Sequence, residues 1–165
     1  GEMVAEYFMK NNHQKIGLIE GPKGSFVSDQ RIKGFKQFFK NNKRIKIFNE
    51  KGFFTYDGGY QSCQKILKNK GVSAIFCADD TMAFGCLDYI KKNTKIKIPK
   101  DLELIGYDDI SMSNWKSYDL TTVKQPIRQM SKLVTQLIDD YIRDPDYETI
   151  NHIVRGSLVK RKTTR

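Results

Sequence analysis

Two pairs of neighbouring aspartates are the residues of this sequence best suited to do chemistry. Asp79 and Asp80 follow one short apolar run, and Asp108 and Asp109 follow another. One explanation is helix capping, because a carboxylate at the start of a helix accepts hydrogen bonds from unpaired backbone N–H groups. We expect Asp80 to cap a helix that begins near residue 81. Capping does not explain the second pair, because the residues after Asp109 show no helical period.

Paired carboxylates also suggest catalysis, with one acting as general acid and the other as general base in the cleavage of a glycosidic bond. Such an enzyme needs a cleft formed by elaborate loops, whereas the predicted connections here are short. A magnesium site on the same carboxylates would lack a phosphate-binding loop, since residues 21–25 (GPKGS) do not have the spacing of a P-loop. We therefore expect no enzyme, no metal site and no cofactor.

The same carboxylates, together with an arginine and an aromatic ring, could hold a small molecule with several hydroxyl groups. Carboxylate and guanidinium groups bind neighbouring hydroxyls bidentately, and a ring covers the apolar face of a sugar or stacks on a base. Arg31 lies one turn into the helix predicted after the first strand, and Phe54 lies just after the second strand. Core packing is an equally good explanation for Phe54.

The elements that must position these residues alternate between short apolar runs and segments of helical spacing. Strands are predicted at residues 15–20, 45–49, 73–77, 103–107, 121–123 and 153–159, and helices at residues 2–10, 29–40, 57–69, 81–92 and 127–143. This alternation predicts an α/β fold with a parallel sheet sandwiched between helices in three layers. Open parallel sheets bind ligands at the carboxyl ends of their strands, where both aspartate pairs are expected.

Composition indicates a globular protein without a membrane span. Of the 165 residues, 39% are hydrophobic, and the longest apolar runs are far shorter than the about 20 residues that a spanning helix needs. Cys63, Cys77 and Cys86 form an odd set without a CxxC pair, and His13 and His152 are far apart in sequence. Zinc and disulfides are therefore not expected, and the cysteines are predicted to be buried and reduced.

The net charge of +10 comes from 29 Lys and Arg residues against 19 Asp and Glu residues, and only 7 of the 29 are Arg. Base readout and bidentate phosphate contacts favour Arg, so an excess of Lys indicates a solvated surface. We expect only non-specific attraction to DNA. The two basic clusters are Lys33, Lys36, Lys40, Lys43, Arg44 and Lys46, then Arg155, Lys160, Arg161, Lys162 and Arg165.

Several motifs that span almost the whole chain carry a resemblance to a known family. They are GPKGSFVSDQRIKG at residues 21–34, ADDTMAFG at 78–85, IPKDL at 98–102, IGYDD at 105–109, LTTVKQP at 120–126 and SLVKRKTT at 157–164. In this order and spacing they resemble the lac repressor and galactose repressor family of bacterial transcription regulators. IGYDD followed by LTTVKQP is the most specific part of the signature.

The resemblance implies a fold like that of periplasmic sugar-binding proteins of type I, with two α/β subdomains and an effector in the cleft between them. It implies that residues 13–124 and 147–165 form most of the second, C-terminal subdomain. Residues 1–12 and 127–146 would be helices of the first subdomain, and the helix-turn-helix headpiece that binds DNA would be absent.

The function that the resemblance implies is effector sensing in a cytoplasmic transcriptional repressor. A small molecule, expected to be a sugar or sugar derivative, would control operator DNA binding through the headpiece, with no membrane involved. The alternative is a sugar-binding receptor for transport or chemotaxis, which shares the fold.

The resemblance also assigns roles to individual residues. Arg31 matches an effector-binding arginine, Phe54 an aromatic residue that covers the ligand, and Asp108 a carboxylate that takes ligand hydroxyls. Gln125 faces the cleft at the last crossover between the subdomains. Asp79 stands where asparagine is usual, which removes two hydrogen-bond donors, adds a charge and changes the expected sugar specificity.

A homodimer is expected, because a regulator that reads a two-fold operator is itself two-fold. The family pairs its second subdomains partly through the helix after the ADD motif and the segment after IGYDD. Phe84 lies in that helix but off its apolar stripe, and Trp115 lies in a polar, non-helical segment. We expect both side chains to be exposed on the monomer and to form part of the dimer interface. The alternative is that Phe84 covers a loop and Trp115 folds back over its own sheet.

Overall fold

The computed structural model describes residues 1–144 and 151–165, in which helices and strands alternate along the chain. The helices are α1 (Glu2–Lys10), α2 (Phe26–Phe39), α3 (Tyr56–Ile66), α4 (Asp80–Asn93) and α5 (Ile127–Arg143). The strands are β1 (Lys15–Glu20), β2 (Lys46–Lys51), β3 (Ala74–Cys77), β4 (Glu103–Asp108), β5 (Thr121–Lys124) and β6 (Ser157–Val159). A 3-10 helix, Ser111–Asn114, lies between β4 and β5.

The strands form one sheet in the order β2-β1-β3-β4-β5-β6. The first five are parallel, as predicted, and β6 pairs antiparallel with β5. Of the strand predicted at residues 153–159 only the last three residues join the sheet. The carboxyl ends of β1 to β5 therefore meet at one edge, and this edge carries the candidate residues.

Helices cover both faces of the sheet, which confirms the three-layer prediction. Phe35 of α2 lies on Phe76 of β3, with ring centroids 5.2 Å apart, whereas Ile66 of α3 lies directly over Gly17 of β1. Gly17 pairs with Ile75, the neighbour of Phe76, and successive strand residues point to opposite faces. Consequently α2 and α3 lie on opposite sides, and α1 packs with α2 while α4 packs with α3.

The core is formed by the central strands and the inner faces of these four helices. All four residues of β3 and the four central residues of β1 are buried. Cys63, Cys77 and Cys86 are buried and free, as predicted.

The N-terminal helix is part of this core. Val4, Ala5 and Phe8 are fully buried, and Phe8 meets Phe35 of α2 edge-on with ring centroids 6.3 Å apart. Because of this packing, α1 belongs to the same α/β unit, which corrects its expected assignment to the first subdomain. The division of the remaining residues between two subdomains stays a prediction. The predicted boundary at 146–147 lies outside the described residues.

The last long helix, α5, presents its apolar stripe to solvent. None of its residues is buried, and the exposed apolar side chains are Ile127, Met130, Val134, Ile138, Tyr141 and Ile142. The apolar stripe of α5 therefore does not contribute to the core of the described chain. An amphipathic helix uses such a stripe to pack against another element. In the described part of the chain, no helix combines the length and apolar character needed to cross a membrane.

Candidate ligand-binding site

An ion pair between Arg31 and Asp108 is at the centre of the carboxyl edge of the sheet. Helix α2 begins at Phe26, earlier than predicted, because the Ser25 side chain accepts a hydrogen bond from Ser28 N and caps it. Arg31 Nη2 donates to Asp108 Oδ1 at 2.7 Å, and Nη1 donates to Asp108 Oδ2 at 3.3 Å. Nη1 also donates to the carbonyl of Ala78, which follows β3, at 2.6 Å. The guanidinium thus links α2 to the ends of β3 and β4.

Two further side chains fix this pair. Gln125, which follows β5, donates a hydrogen bond from Nε2 to Asp108 Oδ1. The ring of Tyr107 lies under the Arg31 guanidinium, with Cζ 3.9 Å from the ring centroid, which is a cation–π contact. The structure therefore brings three of the predicted ligand-binding residues, Arg31, Asp108 and Gln125, into direct contact.

In the structure Arg31 and Asp108 bind each other, and the expectation that both bind ligand hydroxyls stays a prediction. The pair still has capacity for a ligand. Among the described residues, the Arg31 Nε–H and one Nη2 proton have no hydrogen-bond acceptor, since an arginine carries five N–H donors. Asp108 Oδ2 has only the 3.3 Å contact and can accept another donor.

A cleft of about 620 Å³ lies beside this cluster. Its volume is within the range that small-molecule sites occupy. It opens where β5 passes into α5, and it is lined by Asp108, Asp109, Lys124, Gln125, Pro126, Ile127, Arg128 and Gln129. The cluster therefore faces a space large enough for a monosaccharide or nucleoside.

The helix-capping role expected of Asp80 belongs to Asp79 in the structure. Asp79 is the residue that caps α4, since its Oδ1 accepts a hydrogen bond from Met82 N at 2.8 Å. Asp80 instead binds Ser113, Thr122 and the backbone of Ile110, so the prediction that Asp80 caps the helix is wrong. The helix therefore begins one residue earlier than predicted.

Burial raises the pKa of both carboxyls of this pair. The pKa of Asp79 is raised by burial, and the nearby charge of Asp108 contributes to the rise. Burial raises the pKa of Asp80 to about 6, although three hydrogen bonds to the carboxylate oppose the effect. A ligand-binding role for Asp79 stays a prediction. One of its carboxylate oxygens already accepts the hydrogen bond that caps α4.

Phe54 lies at the same edge, against the backbone that follows β1. A Cβ placed on Gly21 would lie 2.4 Å from Phe54 Cζ, so the ring sits directly on this glycine. Phe53 and Phe54 have φ angles of 57° and 59°, and Phe53 is 55% exposed. Non-glycine residues rarely adopt such angles. Phe54 is half-buried and packs partly on the core, so both explanations given for it remain.

The two residues predicted for the dimer interface differ in exposure. Phe84 is 2% exposed, and its ring lies on the ring of Tyr118 at a centroid distance of 4.4 Å. The expectation that Phe84 is exposed on the monomer is wrong, because the loop carrying Tyr118 folds over it. Trp115 follows the 3-10 helix and is 54% exposed, as expected. Their part in pairing two chains stays a prediction.

Sequence reasoning missed two residues of this edge. Tyr107 supports Arg31, and its position directly before Asp108 in the IGYDD motif was the available signal. Arg161 donates to Asp109 Oδ1 at 2.7 Å and to the carbonyl of Leu120 at 2.7 Å, so it binds the second acidic pair to the C-terminal segment. Its place in the SLVKRKTT motif gave no indication of this partner.

The family model of the periplasmic binding protein-like domain matches residues 5–164. The probable HTH-type transcriptional repressor ExuR of Bacillus subtilis is 33% identical over 98% of this chain and 50% of its own length. The lac repressor bound to ONPG in the repressed state superposes with a TM-score of 0.88 at 27% identity, over 99% of this chain and 49% of that one.

A second solved structure carries a ligand. It is a LacI family transcriptional regulator from Enterococcus faecalis V583 with bound ribose, and it matches with a TM-score of 0.83 at 26% identity. The match covers 99% of this chain and 59% of that regulator. The chain spans about half the length of the curated relatives that it matches. It belongs to the periplasmic binding protein-like domain family and, within it, to the lac repressor and galactose repressor family of bacterial transcription regulators.

Proposed function

We propose that this chain is the effector-binding core of a cytoplasmic bacterial transcriptional repressor. Its effector is a sugar or sugar derivative, and effector binding controls the affinity of a helix-turn-helix unit for operator DNA. The observation that carries the proposal is the Arg31–Asp108–Gln125 cluster beside a cleft of about 620 Å³. The repressor names of the relatives and the ribose bound by the Enterococcus faecalis regulator support it.

The cluster suits a polyhydroxylated ligand because it offers donors and acceptors side by side. Asp108 Oδ2 accepts from one hydroxyl, and the unused N–H groups of Arg31 donate to the oxygen of its neighbour. Asp108 is the last residue of β4 and Arg31 lies in the second turn of α2, and contacts with Ala78, Gln125 and Tyr107 hold the pair. They are therefore positioned before the ligand arrives, which lowers the entropy cost of binding.

The effector controls DNA binding because it binds two arrangements of the protein with different affinities. An effector that binds one arrangement of the protein more tightly shifts the population towards it, and its differential affinity limits the size of the shift. The headpieces of a homodimer would be moved into or out of the spacing that two operator half-sites require. No chemical reaction is part of this proposal.

A thermal-shift screen of the intact protein against ribose, other neutral sugars, nucleosides and phosphosugars tests the proposed function. A sugar at a hundred times its Kd stabilises the folded state by about 2.7 kcal/mol, which raises Tm by roughly 5–11 °C. A shift with nucleosides alone would overturn the sugar assignment. Turnover of a chromogenic glycoside would establish the enzyme alternative instead.

The positive charge is expected to give only non-specific DNA binding. Arg161, Lys162 and Arg165 of the C-terminal cluster are already paired with acidic side chains, whereas Lys33 on α2 and Lys40 directly after it are exposed. For three phosphate contacts, affinity should fall about 40-fold between 50 and 200 mM salt, from a slope of roughly 0.9 per contact. Mobility shifts with scrambled competitor measure this effect, and Lys33→Gln with Lys40→Gln should weaken binding to all sequences. Sequence-selective binding by this chain at physiological salt would contradict the prediction.

Trp115 is expected to contribute to self-association of the proposed homodimer. It is a large side chain, 54% exposed, in the segment between β4 and β5 that also carries Ile110, which is 40% exposed, and exposed aromatic groups are typical of interfaces. Trp115→Ser should weaken the dimer by at least about tenfold in sedimentation experiments, since truncated interface tryptophans often cost more than 2 kcal/mol. Phe26→Ser, at a separate exposed position, is the control and should leave the dimer intact. An unchanged dimer in the Trp115 variant would remove this residue from the interface.

A further inference from the structure

Asp80 is a buried carboxylate that the proposed ligand cluster does not use. It is 1% exposed and is the first residue of α4, but its hydrogen bonds come from the segment between β4 and β5 and from β5 itself. Oδ2 accepts from Ser113 Oγ at 2.7 Å and from Ile110 N at 3.0 Å, and Oδ1 accepts from Thr122 Oγ1 at 2.6 Å. The Asp80 carboxylate therefore links three places: Ile110 directly after the turn that follows β4, the 3-10 helix, and β5.

The contacts of Asp80 hold a strained turn next to the ligand cluster. Asp108 and Asp109 have φ angles of 119° and 55°, in the region that non-glycine residues rarely adopt. Such a conformation persists only where several surrounding contacts hold the backbone in place. Asp80 binds the amide of Ile110 directly after the turn, and Thr122, which donates to Asp80, accepts from Asp109 N at 3.4 Å.

The neighbouring strand leaves room for this carboxylate. A Cβ placed on Gly106 of β4 would lie 2.3 Å from Asp80 Oδ1, so only glycine fits at this position without displacing the side chain. The same strand ends two residues later at Asp108. The carboxylate thus lies under the strand that presents the central ligand-binding group.

The other end of the network reaches Trp115. Ser113 lies in the 3-10 helix, and its carbonyl accepts a hydrogen bond from Leu120 N at 2.8 Å. Trp115 N donates to the carbonyl of Met112 in the same helix at 3.0 Å. A shift of Ser113 relative to Asp80 would therefore displace the exposed Trp115 side chain.

We propose that Asp80 is a positioning residue that fixes Asp108 for ligand binding and couples the ligand cluster to the Trp115 segment. The inference rests on the proposed function in assuming that Asp108 binds the effector. Three donors need two carboxylate oxygens, so the network depends on an ionised side chain. An asparagine has a single, uncharged oxygen, so it cannot accept all three hydrogen bonds.

Titration of Asp80 provides a measurement of this coupling without a ligand. Burial raises the pKa of Asp80 to about 6, so its protonation removes an acceptor within an accessible pH range. The charged groups near it are Asp79, which caps its helix, Asp108 on β4, whose charge acts on Asp80, and Asp109, which shares Thr122 with Asp80 and is paired with Arg161. The Trp115 segment and the Asp108–Gln125 contact should therefore change together near pH 6.

The experiment uses NMR of the intact protein between pH 5 and 8. Trp115 is observed as 5-fluorotryptophan and assigned with Trp115→Phe, and the Gln125 side-chain amide reports on Asp108. Both signals should titrate with a midpoint near 6 in the wild-type protein and should not titrate in Asp80→Asn. The Ile110 amide should exchange with solvent at least about tenfold faster in that variant, because it loses a bond to a charged acceptor.

Two further variants separate coupling from general disruption. Asp119→Asn removes another carboxyl close to Trp115 and should keep both titrations. Ser113→Ala removes only the bond to the 3-10 helix, so the Trp115 titration should vanish while the Gln125 titration remains. If Asp80→Asn does not fold, Ser113→Ala alone still tests the coupling between Asp80 and Trp115. Titration of Trp115 near pH 6 in either Asp80→Asn or Ser113→Ala would overturn the inference, whereas a failed sugar screen would overturn only the proposed function.

Discussion

Replacing Arg31 or Asp108 with alanine should weaken effector binding by about 1.5 to 3 kcal/mol each, or roughly 10- to 150-fold in Kd. Each substitution removes a charged hydrogen-bonding group from the cluster and leaves its partner unpaired. The two side chains are bonded at 2.7 Å and are only 10% and 25% exposed, so water replaces the lost contact incompletely. Calorimetry with an effector found in the thermal-shift screen measures both losses.

The double variant should lose less affinity than the sum of the two single variants. Residues that bond directly to each other share part of their contribution, and such pairs couple by about 0.5 to 3 kcal/mol. Arg165→Ala is a matched control, because Arg165 also pairs with a carboxylate, Glu103, but at the opposite end of β4. It should leave the Kd unchanged. Wild-type affinity in both single variants would remove Arg31 and Asp108 from the site.

The order of the elements was predictable from the sequence because apolar runs and helical stripes follow from local burial. Helices α1 and α5 and strand β1 have the predicted bounds. The start of α2 was missed because its cap is Ser25, whose side chain receives the bond from Ser28, and not a residue near position 29. The end of the chain was over-predicted as strand, since only Ser157–Val159 find a partner, in β5.

The membership of the site was partly predictable for a geometric reason. Parallel strands bring their carboxyl ends to one edge, so Asp108 was expected there near Arg31, whereas Gln125 was placed at the cleft by the family resemblance. The sequence could not reveal that Arg31 pairs with a carboxylate 77 positions away, because that contact depends on how closely α2 packs on the sheet. The same limit explains why the helix cap was assigned to Asp80 and not to Asp79. Either residue can cap a helix, and only the position of Ser113 and Thr122 decides which one does.

Helical periodicity also gave a wrong prediction for Phe84. The apolar stripe of α4 does not show which residues cover the side of the helix that carries Phe84. The loop after the 3-10 helix brings Tyr118 onto this side, and Tyr118 Oη donates to Asp88 on α4 at 3.1 Å. Lys91 of the same helix lies 5.5 Å from the Tyr118 ring centroid. The loop is thus bound to α4 one and two turns after Phe84, and the phenyl ring becomes part of the core.

Phe84→Ala is therefore expected to lower the free energy of unfolding by about 3 to 5 kcal/mol, the cost of removing a buried phenyl ring and leaving a cavity. For a domain of this size the loss corresponds to a decrease of roughly 6–20 °C in Tm. Phe84→Glu should prevent folding, because it places an unpaired charge between α4 and Tyr118. Chemical denaturation of Phe84→Ala gives the free energy, and circular dichroism reports on Phe84→Glu.

The matched control is Phe26→Ala, which removes the same ring from a side chain that is 75% exposed. Its free energy of unfolding should stay within about 0.5 kcal/mol of the wild-type value, as for other surface substitutions. A Phe84→Ala protein that keeps wild-type stability but no longer dimerises would show that the ring is exposed in solution. The original assignment of Phe84 to the dimer interface would then be right and its burial under Tyr118 wrong.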